Sequence, residues 1–143
     1  MISSDDIITA ARGWIGTPYR HQASLKNVGC DCLGLVRGVW RDCFGSEPEA
    51  TPAYAADWAE SDSTETLAAA AQRHMANVPL ADFRAGDLLL FRWKNYLPAK
   101  HAGIATANNK MIHAQDGSVV SEVSLSPWWM QRLAFVFRFP DQD

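Results

Sequence analysis

The sequence is poor in cysteine. Cys30, Cys32 and Cys43 are its only three in 143 residues, and so sparse and odd a set does not make the disulfide framework of a small secreted domain. At least one thiol should stay free. Nor is there an apolar run near the ~20 residues that a membrane-spanning helix needs. The longest candidate, Asp87 to Trp93, carries Asp87 and Arg92. Basic clusters are equally scarce: the densest is Lys94 to Lys100, and the formal net charge is −3. That pattern gives no electrostatic footprint for a phosphate backbone, so neither nucleic acid nor membrane is expected as a partner. The opening Met1-Ile2-Ser3-Ser4-Asp5-Asp6 lacks the basic and apolar regions of a secretory signal, which predicts a protein made in the cytoplasm. What the chain does have is 48% hydrophobic residues and a length that suits one domain over residues 1–143. A domain of this size buries roughly two-thirds of its unfolded surface and folds without a metal or disulfide staple.

Helix signals come first. Ser3 or Ser4 can cap a stretch in which Ile7, Ile8, Ala11, Trp14 and Ile15 recur at three-to-four spacing, ending near Gly16. Pro18 then makes Gly16 to Gln22 a turn-rich connection that presents Tyr19. A second helix is expected from Asp31 to about Phe44, with Cys32, Leu35, Val36, Val39, Trp40 and Cys43 on one stripe. Asp31 serves as N-cap and Gly45 as the terminating residue. From Ser46 to Ser63 the composition shifts to Pro, Ala, Ser and acidic residues, which reads as a surface excursion. A third helix follows from Ser63 or Thr64 to about Ala76, before Pro79.

Beyond Pro79 the period changes from helix to strand. Ala85-Gly86 is a turn and Asp87 to Trp93 a strand. His101 to Thr106 and Met111 to Gln115 form a hairpin around Asn108-Asn109, and Val119 to Leu125 and Ala134 to Phe139 complete the sheet. Helices followed by an antiparallel meander predict an α+β fold with a helical layer on one face of the sheet.

Cys32 falls at the first helical position after its cap, where backbone N–H groups lack intrahelical partners and the helix dipole is positive. Such a setting favours the nucleophilic thiolate and predicts a lowered thiol pKa. The same N–H groups could receive an oxyanion. Cys43, deep on the apolar stripe, reads as a packing residue. His101, at the mouth of its strand, is the candidate base, with its side chain expected at the sheet edge facing the helix of Cys32. His113 on the next strand could fix its tautomer. Both imidazoles must then share a face. A two-residue turn at Asn108-Asn109 would pair His113 with Ile104 and separate them. A three-residue turn over Asn108 to Lys110, or a bulge at Gly103, would bring them back together.

Taken in order, Gly16-Thr17-Pro18-Tyr19, Asp31-Cys32-Leu33-Gly34-Leu35-Val36, Ala85-Gly86-Asp87-Leu88, His101-Ala102-Gly103-Ile104 and Met111-Ile112-His113-Ala114 resemble the successive motifs of the NlpC family of cell-wall cysteine peptidases. Tyr54 to Glu60, Lys100-His101, Pro127-Trp128-Trp129 and Phe137 to Pro140 are similar to its phage and gene-transfer-agent branch. The resemblance implies a papain-like domain that cuts peptidoglycan stem peptides at the bond between γ-D-glutamate and a diamino acid, without cofactor or metal. Matching positions make Cys32 the nucleophile, His101 the base and His113 the orienting residue, with Tyr19 and Asp31 on the substrate and oxyanion side. The same branch implies tail proteins of a phage or gene-transfer agent as partners, and a particle that carries the enzyme to the wall. Leu33 departs from the Ser that many members have after the nucleophile.

Other readings of these residues stand beside this one. Cys30, Cys32, His101 and His113 are a conceivable Cys₂His₂ metal set, although Cys-x-Cys is tighter than the usual ligand spacing. An amidase or acyltransferase could use the same Cys-His pair, and an idle structural tail protein would use neither. Cys30 reads as an accident, a packing residue or a partner for reversible oxidation, and a bond from it to Cys32 would be strained. His21 and His74 read as surface residues without partners. Trp128 and Trp129 could form a glycan-stacking platform or divide between core and surface.

Overall fold

Ser3 starts the first helix by a reciprocal cap: its hydroxyl accepts from the Asp6 N–H at 3.1 Å, and the Asp6 carboxylate accepts from the Ser3 N–H at 2.9 Å. The computed structural model describes residues 1–49 and 65–141. Helix α1 spans Ser4–Arg12 and buries Ile7, Ile8 and Ala11. It stops short of the expected end near Gly16, so Trp14 enters the core from a turn while Ile15, expected on the buried stripe, faces solvent. Two short strands that the sequence did not announce follow, β1 (Ser24–Leu25) and β2 (Gly29–Cys30).

Helix α2 spans Cys32–Phe44, bounded by Asp31 and by Gly45 at φ +92°, as expected from its cap residues. Leu35 and Val39 point into the core, and the absence of a side chain at Gly38 leaves room for the buried Trp14 ring. Helix α3 spans Thr66–His74. Its expected start at Ser63 or Thr64, and the excursion beyond residue 49, lie outside the described residues. Where the helix was expected to run on to Ala76, the chain instead forms β3 (Ala76–Val78).

The remaining strands are β4 (Leu88–Phe91), β5 (His101–Thr106), β6 (Lys110–His113), β7 (Ser121–Ser124) and β8 (Leu133–Arg138). A four-residue helix, α4 (Pro127–Met130), precedes β8. β4 to β7 are the meander that the alternation predicts, but the sheet order is β3-β8-β4-β5-β6-β7. The last strand returns to pair with β4 on one side and β3 on the other, all antiparallel. The fold is α+β.

Leu88, Leu90, Ala102, Ile104 and Ile112 pack beneath the helices. Leu89, Phe91, Ala105, Met111 and Val136 form a second cluster on the other face, covered by Trp129 and Leu125. The one-faced layer expected from the sequence is therefore incomplete. β4 is apolar at every position, the pattern of a strand buried on both sides, and it needs that second cover. Among the described residues, no helix is long and apolar enough to cross a membrane.

Candidate active site

The hairpin register decides where the two histidines go. Thr106 pairs with Lys110 and Gly103 with His113, so the loop is the three residues Ala107 to Asn109, one position earlier than expected. Asn108 and Asn109 both take positive φ, at 65° and 59°, a conformation that Asn tolerates better than most residues. Because His113 faces Gly103, it shares a sheet face with His101. Nε2 of His101 lies 2.8 Å from Nδ1 of His113, a buried hydrogen bond between the two rings.

That face is not the one expected. Alternation along β5 sets Ala102 and Ile104 under the helices and His101 with Ala105 on the far side. His101 stacks on Trp129, with ring centroids 5.3 Å apart and planes inclined by 23°, and its ring also meets Phe91 and Trp93. At the end of β5 it lines one cleft of about 270 Å³ together with Cys32, Tyr19, Lys100 and Asp116. His113 stands behind His101, buried. The aromatic wall escaped sequence reasoning because Phe91 faces His101 only once the β4–β5 register is known.

Asp31 caps α2 with one oxygen, accepting from the Gly34 N–H at 2.7 Å, and holds the preceding loop with the other, accepting from the Gln22 N–H at 2.8 Å. Cys32 Sγ is thus fixed at the start of the helix, with its thiol donating to the Lys100 carbonyl at 3.5 Å. The thiol is not acidified as its position suggested. Burial and then the neighbouring Asp31 carboxylate push it up to about 12, against backbone N–H groups of Ala102, Leu33 and Cys32 that favour the thiolate. Burial and the same anionic surroundings raise Tyr19 to about 12, so its hydroxyl stays a donor at neutral pH.

His21 is exposed, as expected, but has a partner: it lines the cleft with Nδ1 3.8 Å from the Asp31 carboxylate. His74 pairs with Glu49 at 2.9 Å. Cys30 is buried in the core and all three cysteines are free thiols. Cys43 is half-buried near the Asp6 carbonyl. Among the described residues, no group of three or more His, Cys, Asp or Glu is placed to hold a metal ion.

Burial lowers His113 to about 4, and burial together with the His113 charge lowers His101 to about 3. Both rings are neutral at pH 7. An unfolded histidine titrates near 6.5, so the stability these buried rings contribute is complete above that pH and is lost as pH falls towards the folded values. The loss is up to about 1.4 kcal/mol per pH unit for each ring. The melting temperature should therefore fall between pH 7 and pH 5. A double variant, His101→Gln with His113→Gln, should lose most of that dependence, and an equal slope in both proteins would contradict the assignment.

The sequence matches the NlpC/P60 family over residues 16–138. The chain belongs to the NlpC/P60 family. It is 33% identical over 122 residues to Murein DD-endopeptidase MepS/Murein LD-carboxypeptidase of Escherichia coli (strain K12), a match covering 83% of this chain and 54% of that protein. It is 27% identical over 113 residues to the Gamma-D-glutamyl-L-lysine dipeptidyl-peptidase of Bacillus subtilis (strain 168), covering 78% of this chain and 32% of that one. The chain thus spans about half or less of the curated relatives named here. Its fold superposes on the crystal structure of the NlpC/p60 domain of the peptidoglycan hydrolase SagA with a TM-score of 0.68, at 23% identity, covering 95% of this chain and 98% of that one.

Proposed function

We propose that this NlpC/P60 chain is a cysteine peptidase that hydrolyses peptidoglycan stem peptides at the bond between γ-D-glutamate and a diamino acid. The observation that carries the reading is the His101–His113 hydrogen bond of 2.8 Å beside a cleft that also receives Cys32. Relatives named for murein and γ-D-glutamyl peptide cleavage support the substrate class.

Nε2 of His101 is engaged by His113, which leaves Nδ1 as the nitrogen for the thiol. With Nε2–H donating to His113, Nδ1 carries a lone pair and accepts the proton of Cys32 as sulfur attacks the scissile carbonyl. The resting pair is a neutral thiol and a neutral imidazole, so proton transfer accompanies attack. The carbonyl oxygen becomes an oxyanion, received by backbone N–H groups at the start of α2, which Asp31 holds in place by capping. Tyr19 donates its hydroxyl to the bound substrate. His101 then returns the proton to the leaving amine, and water hydrolyses the thioester by the same base. Leu33 gives the cleft an apolar wall where many relatives have Ser.

The motifs shared with the phage and gene-transfer-agent branch support a tail-component role, in which a particle delivers the enzyme to the wall. A synthetic stem peptide with a γ-D-glutamyl-diamino acid bond tests the chemistry. The purified chain should generate a new free amino group on the diamino acid, read by mass spectrometry, and an unchanged peptide would contradict the proposal.

A further inference from the structure

We propose that a second groove, beside the cleft, is a platform for the glycan strand of peptidoglycan; only the choice of polymer rests on the hydrolase reading. The groove, about 370 Å³, is lined by Trp93, Lys94, Tyr96, Gln131 and Arg132. Trp93 also lines the cleft of Cys32 and His101, so the two meet at its ring.

Its chemistry is that of a sugar site. Tyr96 is 77% exposed and Trp128 49% exposed, a costly display of aromatic surface next to a cleft. The Arg132 guanidinium lies 3.8 Å from the Trp128 ring centroid, held there by donating to the Trp128 carbonyl at 2.8 Å. Lys94 stands over Tyr96 at 5.9 Å. Among the described residues, neither Lys94 nor Arg132 has a carboxylate partner. Trp129, by contrast, is buried against His101, so the adjacent tryptophans divide between core and surface, leaving Trp128 outside. Pyranose C–H bonds carry partial positive charge that aromatic faces attract. The cationic and amide donors match the acetamido and hydroxyl oxygens of amino-sugar rings. A strand lying on Tyr96 and on the exposed part of Trp128, which adjoins the groove beside Arg132 and Trp93, would hang its peptide over Trp93 into the cleft.

The test is binding of the wild-type chain to purified glycan strands stripped of peptide, followed by tryptophan fluorescence. Because those strands hold no peptide, the result is independent of whether the chain cleaves one. Trp128→Ala and, separately, the more exposed Tyr96→Ala should each weaken binding at least fivefold with unchanged circular dichroism. No binding by the wild type, or full binding by both variants, would overturn the proposal. So would binding to both variants that 0.5 M salt (about a 4 Å Debye length) abolishes, since that is attraction of cations alone.

Discussion

His101→Gln should lower the rate of stem-peptide cleavage by about 10²- to 10⁴-fold, the range of a lost general base. The size of the effect follows from two demands on one ring. Cys32 is a neutral thiol held at about 12 by burial and by Asp31, so little thiolate exists at neutral pH and attack depends on a base that removes the proton during the step. No other described imidazole joins both the cleft and His113. Glutamine keeps a side chain of similar reach against Trp129 and Trp93 but supplies no basic nitrogen, which makes loss of rate separable from loss of fold. His113→Leu, which removes the partner of Nε2 while leaving the base, should cost less and act on kcat more than on KM. A His101→Gln protein that melts like wild type and cleaves within tenfold of it would contradict the assigned role.

Gly34→Ala should destabilise the protein and abolish cleavage together. Helix propensity alone argues the other way, since alanine is favoured over glycine by about 1 kcal/mol in a helix. The contact decides: a Cβ at Gly34 would lie 1.8 Å from the Ala23 carbonyl oxygen. That neighbour is backbone, in the loop that also accepts the Asp31 N–H. The first turn of α2 would have to move away, taking the Asp31 cap and Cys32 with it. Overpacking of this kind costs typically 1–3 kcal/mol, and about 2–4 °C in melting temperature per kcal/mol is expected at this size. A fall of several degrees, against the rise that propensity predicts, is the result to measure.

How much was legible follows from how local each signal is. α2 could be read almost residue by residue because the Asp31 cap, the Leu35–Val39 stripe and Gly45 are all within the segment. The hairpin was legible from Asn108-Asn109, and its parity survived a turn displaced by one residue. The β3 strand and the return of β8 between β3 and β4 were not legible, because three-residue strands and non-adjacent pairings have no local signature. The site divides in the same way. Cys32, His101 and His113 stood out by position, whereas the state of the thiol depends on its burial by the fold. The helix dipole is a property of the segment itself, whereas the burial that outweighs it comes from packing. The face of His101 was misjudged for a related reason: Phe91, Trp93 and Trp129, which hold the ring, converge from β4, the segment after it and α4.

The most direct test of the central claim is mass spectrometry of purified peptidoglycan digested side by side with the wild-type chain and with Cys32→Ala. The wild type should release fragments that carry a new free amino group on the diamino acid. Cys32→Ala, melting at the same temperature, should release none. Equal release by Cys32→Ala, or release by the wild type of intact stem peptides cut from the sugar, would contradict a Cys32-dependent endopeptidase.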